Sequence, residues 1–365
     1  MKNVSKMKKV ATVCLIVFIL LPGSAFHDML LLMLLVGIWR RELRETMSRW
    51  WKYSYSALWS CMAMLTLFLM PRPFSLPTDR VSLVYFNDKG EREPAPLHHW
   101  IFNLIFPEET ICAMGSCVPL TPLRSVLPIG ESILKDYDSE LLRGGMLKVG
   151  DAYRRNNLAL ESPLSGTVPQ GFNEFFGEKK RAVYVIRPRN FDKDREYPIL
   201  FFAHGYLGNW KLYSGILRDI EDHIVVCMAT EDLSGIFNSR HISEIQTVYL
   251  PMLNELGMKV DKDAISIMGL SNGGSATDIA YSSCPGLFRN IIYVSTGVNH
   301  SNRVKPKIMI IGGGEDHCAP SMRKGMKALQ GNGQRSAFCF DEKHTHLKLL
   351  TDKENCLRFL NEELK

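Results

Sequence analysis

Ser271 lies in the stretch Gly-Leu-Ser-Asn-Gly-Gly, residues 269–274, directly after a short β-type run at residues 265–268. On a strand-to-helix turn, the pattern G-x-S-x-G lifts a serine hydroxyl above a sheet, and the free N–H groups of the next helix can bind an oxyanion. Ser271 is therefore a candidate nucleophile. The pattern is also compatible with an ordinary glycine-rich turn, so a base and a carboxylate are needed to support the catalytic interpretation.

The candidate carboxylate is Asp316, within Gly-Gly-Gly-Glu-Asp-His-Cys-Ala-Pro at residues 312–320. This loop follows a predicted strand at residues 307–311. Three glycines could suggest a phosphate loop, but no Lys-Ser/Thr follows them and adjacent acids would repel phosphate. A carboxylate that orients a histidine is the better interpretation, with Glu315 as the alternative.

The candidate base is His346, in the stretch Lys-His-Thr-His-Leu after a predicted strand at residues 337–340. Leucines follow His346 directly and can anchor it against the core, whereas acidic residues and a lysine precede the alternative, His344. The two histidines could also be metal ligands. The sequence shows no further cluster at ligand spacing to support a metal, so we predict none.

A fourth polar stretch, His204-Gly205-Tyr206, follows the apolar run at residues 199–203. A His-Gly turn at this place can point a backbone N–H at a carbonyl oxygen. We predict that the amides of Tyr206 and Asn272 form an oxyanion hole. The side chain of His204 is predicted to hold the loop in place.

The spacing of apolar runs predicts an α/β fold with a mostly parallel sheet and helices on both faces. Predicted strands cover residues 182–186, 199–203, 224–228, 265–268, 291–294, 307–311 and 337–340; predicted helices cover residues 212–220, 242–256, 275–283 and 352–364. Ligands of such sheets bind at the carboxyl ends of the strands. Each candidate residue follows directly after a predicted strand.

Residues 180–365 resemble the α/β-hydrolase superfamily, because H-G-Y-L-G, G-L-S-N-G-G, G-G-G-E-D-H-C-A-P and H-T-H occur in the order oxyanion loop, serine, acid, histidine. Within it the chain is most similar to small esterases of the dienelactone hydrolase and cutinase-like type. Asn272 departs from the His, Met or Gln that usually follows the serine. The resemblance implies an ester-cleaving serine hydrolase with a Ser271-His346-Asp316 triad and no cofactor.

Only about a dozen residues separate the predicted strands at 291–294 and 307–311, too few for a helical lid. An open serine suits bulky or polymeric esters and argues against cofactor chemistry that needs water excluded. The alternatives are a peptidase or an acyltransferase on the same triad. A catalytically inactive, membrane-anchored binding protein is an alternative of a different class.

Residues 10–70 are predicted to anchor the chain in a lipid bilayer, because Asp28 is the only formally charged residue between Lys9 and Arg40, and residues 54–70 have none. The first apolar block, residues 10–39, fits a hairpin of two short spans, one long kinked helix or a signal peptide. Lysines at residues 2–9 precede the first apolar segment, and arginines and a lysine at residues 40–52 lie between the second and the third. The positive-inside rule places both basic stretches in the cytoplasm. We therefore predict a multi-pass membrane protein whose residues 71–365 lie on the non-cytoplasmic side.

The net charge of +6 comes largely from the juxtamembrane Lys and Arg residues, so we predict no nucleic-acid partner. Cys112 and Cys117 could pair in an oxidising compartment, or remain as thiols like most of the nine cysteines. The predicted organisation is a membrane-anchoring region at 1–70, a connecting region with the first strands at 71–170 and a catalytic domain at 171–365.

Overall fold

The computed structural model describes residues 9, 11–13, 15–16, 25–38, 60, 80–105, 167–208 and 210–365. Within these residues one sheet of nine strands forms the centre of the fold. Its strands are β1 Val81–Phe86, β2 Arg92–Glu93, β3 Arg181–Ile186, β4 Glu196–Ala203, β5 Ile224–Met228, β6 Lys259–Leu270, β7 Asn290–Val294, β8 Lys307–Gly313 and β9 Ser336–Asp341.

Helices connect most of the strands. They are α1 Ala25–Ile38, α2 Leu97–Ile105, α3 Thr167–Phe176, α4 Trp210–Leu217, α5 Ser239–Glu244, α6 Leu250–Glu255, α7 Gly274–Ser283, α8 Ala319–Gly331, α9 Lys348–Thr351 and α10 Lys353–Glu363. A π-helical segment, Ile245–Tyr249, joins α5 to α6. The helix predicted at residues 242–256 is therefore one continuous helical segment, residues 239–255, with a π-helical part in its middle.

The sheet order is β2-β1-β3-β5-β4-β6-β7-β8-β9. Pairing is parallel from β5 through β4 to β9, and antiparallel among β1, β2, β3 and β5. The prediction of a mostly parallel sheet is confirmed, and the arrangement fits the α/β-hydrolase fold. Because parallel neighbours all end at the same edge, the loops after β4, β6, β8 and β9 lie together there.

Each central strand contributes side chains to two apolar layers. Ile199 and Phe201 belong to one core cluster, together with apolar residues of α5, α6, α7 and α8. Leu200 and Phe202 belong to the other, together with residues of α4 and α10. Successive side chains of a strand point to opposite faces, so a strand that is covered on both sides must be apolar throughout. This explains the unbroken apolar run at residues 199–203.

The sheet extends further towards the N-terminus than the predicted catalytic domain. Strand β1 pairs with β3 over its whole length, from Val81 opposite Ile186 to Phe86 opposite Arg181. The predicted connecting region therefore supplies two strands of the sheet. The boundary predicted at residue 171 falls inside α3, whose Val168 is buried against β1 and β3.

The predicted membrane region lies only partly within the described residues. Its third apolar segment, residues 54–70, is outside them except for residue 60, and Cys112 and Cys117 are also outside. Across the described part of the chain, helices of the length and hydropathy needed to cross a bilayer are absent.

The loop between β7 and β8 is short, as predicted. It covers residues 295–306 and contains bends but no helix. Nothing in this connection could form a helical lid over the end of β6.

Candidate active site

Ser271 follows the last residue of β6 and starts a 3-10 turn, Ser271–Gly273, that leads into α7. Its φ is +53°, in the left-handed region that non-glycine residues seldom occupy. A conformation of this kind costs about 1–3 kcal/mol and is held by the surrounding structure. The strained backbone of Ser271 lies where the pattern G-x-S-x-G requires a sharp turn. The residue itself is half-buried.

Two glycines let the turn pack against its neighbours. A Cβ at Gly269 would lie 2.4 Å from the carbonyl oxygen of Gly273, and one at Gly273 would lie 2.2 Å from the carbonyl oxygen of Ala203. Both contacts are with backbone, which cannot rotate away. Side chains at these positions would therefore displace the turn from β4 and from its own strand.

His346 and Asp316 complete a chain of hydrogen bonds to the serine. The Nε2 atom of His346 lies 2.9 Å from Oγ of Ser271, and its Nδ1 lies 3.1 Å from Oδ1 of Asp316. Asp316 follows β8, and His346 lies between β9 and α9. The fold thus brings together three residues that are 45 and 30 positions apart in the chain.

The carboxylate of Asp316 is buried, and its Oδ1 also accepts a hydrogen bond from the N–H of Cys318 at 2.8 Å. Burial alone would raise the pKa of Asp316, but the hydrogen bond and charge attraction of His346 outweigh it and lower that pKa. Asp316 is therefore ionised near neutral pH. Its Oδ2 is buried and accepts no hydrogen bond from the described residues.

The loops that carry the acid and the histidine are bonded to each other. The N–H of Glu315 donates to the carbonyl of His344 at 3.1 Å, and the N–H of Gly314 donates to the carbonyl of Asp341 at 2.7 Å. A Cβ at Gly313 would lie 1.8 Å from the His344 carbonyl oxygen. The structure brings Asp316 to His346, whereas Glu315 contributes its backbone to this contact between loops.

His344 has a different partner from His346. Its Nδ1 lies 2.7 Å from Oδ1 of Asp341, whose other oxygen binds the ammonium group of Lys348. Lys348 is itself buried and also donates to Asp352 at 2.7 Å. The structure therefore assigns His344 to a second polar cluster and leaves His346 at the serine.

The predicted oxyanion loop lies against the serine. A Cβ at Gly205 would be 3.1 Å from the Cβ of Ser271, so a side chain there would require the serine turn to shift by a few tenths of an ångström. Tyr206 starts a 3-10 turn, and Asn272 is the residue after Ser271 in another; N–H groups at the start of a helical turn have no partner within it. The side chain of Asn272 is bonded elsewhere, to the carbonyl of Ser234 at 2.8 Å.

His204 is fully buried and orients this loop. Its Nδ1 donates to the carbonyl of Gly205 at 2.7 Å, because Nε2 accepts from the N–H of Thr230 at 3.3 Å and from the amide of Gln170 at 3.1 Å. Burial lowers the pKa of His204 to about 4. The imidazole is therefore neutral near pH 7, with its proton on Nδ1.

Sequence reasoning missed Gln170 of α3, because it contributes through His204 and has no motif around it. The fold also groups four side chains of metal-ligand type at Asp316 that the sequence analysis did not bring together. His317, Cys318, Asp316 and His346 offer donor atoms that all lie within 4.8 Å of one another. No cluster at ligand spacing in the sequence joins these residues; the fold brings His317 and Cys318, from the loop after β8, close to His346.

A second set with metal-ligand side chains lies far from the serine in sequence. Glu178 binds His98 Nε2 at 2.6 Å and His99 Nε2 at 2.8 Å. Burial lowers the pKa of His99 to about 4, against the attraction of Glu178. Because His99 is neutral, this contact is a hydrogen bond that fixes α2 to the end of α3.

Comparison with known proteins gives partial similarities. No family model matches the chain. Dipeptidyl-peptidase 5 of Aspergillus fumigatus is 30% identical over 96 residues, which are 24% of this chain and 13% of that peptidase. The chain thus matches only a small part of the length of this curated relative.

The similar solved structures include esterases and a serine hydrolase. A thermostable esterase has a TM-score of 0.40 and 20% identity, with 51% of this chain and 60% of that chain covered. The feruloyl esterase module from Clostridium thermocellum has a TM-score of 0.41 and 13% identity over 51% and 85%. The fluorophosphonate-binding serine hydrolase F of Staphylococcus aureus has a TM-score of 0.40 and 14% identity over 52% and 94%.

Proposed function

We propose that this protein is a serine hydrolase that cleaves carboxylic esters, with Ser271 as nucleophile, His346 as general base and Asp316 as the carboxylate that orients it. The observation that carries the proposal is the continuous contact from Ser271 Oγ to His346 Nε2 at 2.9 Å and from His346 Nδ1 to Asp316 Oδ1 at 3.1 Å. Nucleophile, base and orienting group within hydrogen-bond reach are the signature of an activated serine.

The first half of the reaction forms an acyl-enzyme. His346 Nε2 accepts the hydroxyl proton while Ser271 Oγ bonds to the ester carbonyl carbon. The buried, ionised Asp316 stabilises the imidazolium that results. The N–H groups of Tyr206 and Asn272 donate to the tetrahedral oxyanion, and His346 then gives its proton to the departing alcohol.

In the second half, His346 accepts a proton from water, and the resulting hydroxide attacks the acyl carbon. Collapse of the second tetrahedral intermediate breaks the bond to Ser271 Oγ, which takes the proton back from His346. Every group that the reaction needs comes from the chain and water, so hydrolysis by this route needs no cofactor.

The surroundings of Ser271 support an ester substrate with a bulky or polymeric acyl part. The loop at residues 295–306 is too short for a helical lid. Tyr206, in the predicted oxyanion loop, has a side chain that is 43% exposed. Ile236 is 57% exposed next to Gly235, where a Cβ would be 2.3 Å from the Gly205 carbonyl oxygen. These side chains offer apolar surface to a large acyl group.

Turnover of p-nitrophenyl acetate, butyrate and longer acyl esters by the full-length protein tests the proposal, with Ser271→Ala as the control. We expect hydrolysis and fluorophosphonate labelling by the wild type and neither by the variant, since only a hydroxyl is lost. Hydrolysis that persisted in Ser271→Ala would remove Ser271 from the mechanism. A wild type that neither hydrolysed esters nor reacted with the probe would favour an inactive binding protein.

A peptidase on the same triad is the second candidate, because the one curated relative reported above is a dipeptidyl peptidase. An acyltransferase would use the same acyl-enzyme with an alcohol in place of water. Dipeptide p-nitroanilides, tested beside the esters, separate the peptidase from the esterase. Addition of alcohol acceptors separates transfer from hydrolysis, because transfer yields a new ester instead of free acid.

We also propose that residues 10–70 anchor the chain in a bilayer and place the hydrolase on the non-cytoplasmic side. The proposal is supported by the near absence of charge within the apolar segments and by the basic stretches at residues 2–9 and 40–52. A topology reporter fused after Lys365 tests it. Activity of a reporter that requires the cytoplasm would contradict the proposed orientation.

A further inference from the structure

The loop after β8 places two additional metal-binding side chains beside the triad acid. His317 Nδ1 lies 3.3 Å from Oδ1 of Asp316, the same oxygen that binds His346 Nδ1 at 3.1 Å. The two imidazole rings face each other with centroids 4.7 Å apart and planes 31° apart. Cys318, a free and half-buried cysteine, completes the group. This cluster of Asp316, His317, Cys318 and His346 is called the acid-loop cluster below.

We infer that the acid-loop cluster binds a zinc-class divalent metal ion that reversibly inhibits the enzyme; this inference rests on the proposed function. A thiol, two imidazoles and a carboxylate are the donor types that Zn²⁺ prefers. Bond lengths of about 2.0 to 2.3 Å put the ligand atoms of a tetrahedral zinc site about 3.3 to 3.8 Å apart. The four donor atoms already lie within 4.8 Å of one another, so small side-chain rotations are enough to close the site.

The second oxygen of Asp316 supports a ligand at this place. It is buried and accepts no hydrogen bond from the part of the chain that the structure describes. A buried polar atom without a partner destabilises the fold, and a bound cation would remove that cost. The side chain of His317 is 33% exposed, so an ion can reach the cluster from solvent.

Inhibition follows from which nitrogen of His346 the metal takes. In the free enzyme Nδ1 carries the proton and Nε2 is the acceptor that faces Ser271. A metal bound at Nδ1 displaces that proton, so the neutral ring carries its proton on Nε2 and cannot accept another from the serine. Cys318 binds as thiolate and releases its own proton to solvent. Chelation of the ion reverses both changes.

Two measurements on the full-length protein test the site. Zn²⁺ should inhibit ester hydrolysis, and EDTA should restore it. Cys318→Ser and His317→Asn should each raise the inhibitory zinc concentration at least about tenfold relative to the variant's own metal-free rate. Cys284→Ser and His344→Gln are matched controls outside the cluster and should leave that concentration unchanged.

The second measurement does not depend on turnover. Co²⁺ added to the Ser271→Ala variant should produce a near-ultraviolet thiolate-to-cobalt band, and the further change Cys318→Ser should abolish it. Three results would each overturn the metal site: a band that survived Cys318→Ser, a Ser271→Ala variant that showed no band, or an active wild type that zinc did not inhibit. Absence of hydrolysis alone would refute the proposed function, whereas the cobalt band would still report on the site.

Discussion

Two aspartate-histidine pairs lie on adjoining loops of this protein, and only one of them reaches the serine. His344 is closer to its carboxylate than His346 is, at 2.7 Å from Asp341 compared with 3.1 Å from Asp316. The second nitrogen of His346 contacts Ser271, whereas that of His344 has no hydroxyl partner among the described residues. A short distance between an aspartate and a histidine therefore does not identify the general base. The group that faces the other ring nitrogen identifies it.

The two carboxylates also differ in how their charge is balanced. Asp341 binds the ammonium of the buried Lys348, and this contact with the His344 hydrogen bond lowers the pKa of Asp341 despite the opposing effect of burial. Asp316 is bonded to imidazoles and a backbone N–H, without a lysine or arginine among its described partners. Its negative charge remains available to stabilise an imidazolium when His346 takes a proton.

The largest expected effect separates the two histidines. His346→Gln should lower ester turnover by about 10²- to 10⁴-fold, the usual contribution of a general base. His344→Gln, the matched control, should change turnover by less than about threefold, because its side chain faces Asp341. Initial rates with p-nitrophenyl butyrate at pH 8 measure both. The reverse ranking would assign the base to His344.

The second expected effect separates the two carboxylates. Asp316→Asn should lower turnover by about 10²-fold or more at neutral pH, because an amide neither fixes the Nδ1–H tautomer nor stabilises the imidazolium. Asp341→Asn should leave turnover per folded molecule nearly unchanged. It should lower the melting temperature instead, because the buried Lys348 loses a charged partner.

Turnover and thermal unfolding of both asparagine variants provide this comparison. If Asp341→Asn cost as much turnover as Asp316→Asn, the cluster around Lys348 would be coupled to the reaction. That result would contradict the division into one active and one structural pair.

The grouping of Ser271, Asp316 and His346 could be predicted because each follows a strand, and parallel strands end at one edge of the sheet. Choosing between His344 and His346 was possible because the leucines after His346 pack inward: Leu347 and Leu349 are buried. The sequence of strands, and of the polar residues that follow them, is enough for such arguments. It places a residue at the correct edge without giving distances.

Other features depend on contacts between distant segments. Gln170 reaches His204 across 34 residues, and no local pattern marks that contact. Helix α8 was not predicted, because Pro320 and the glycines at 325 and 331 weaken its signal; a proline in the first turn is nevertheless compatible with a helix start. The pairing of strand β1 with β3 spans a long stretch of chain, and no local pattern marks it.

The smallest expected effect concerns a third imidazole, that of His204, whose hydrogen-bond partners in the described part of the chain include neither a carboxylate nor a hydroxyl. Burial lowers the pKa of His204 from 6.5 to about 4. Between these two pH values the unfolded chain binds a proton that the folded protein excludes, so the free energy of unfolding decreases as the pH falls from 6.5 towards 4. The decrease is about 3 kcal/mol when the pKa difference is converted at about 1.4 kcal/mol per unit. Above pH 6.5 the group is neutral in both states and contributes no slope.

Urea unfolding of the wild type and His204→Asn at pH 8, 6 and 4.5 isolates this contribution. Asparagine keeps a donor and an acceptor on one short side chain but does not titrate, so its unfolding free energy should fall less steeply below pH 6.5. Other groups, such as the buried His99, give the same slope in both proteins and cancel in the difference. Parallel pH profiles would show that His204 is protonated in the folded state without cost. Its Nε2 would then carry a proton, and the hydrogen bond from the Thr230 amide could not exist.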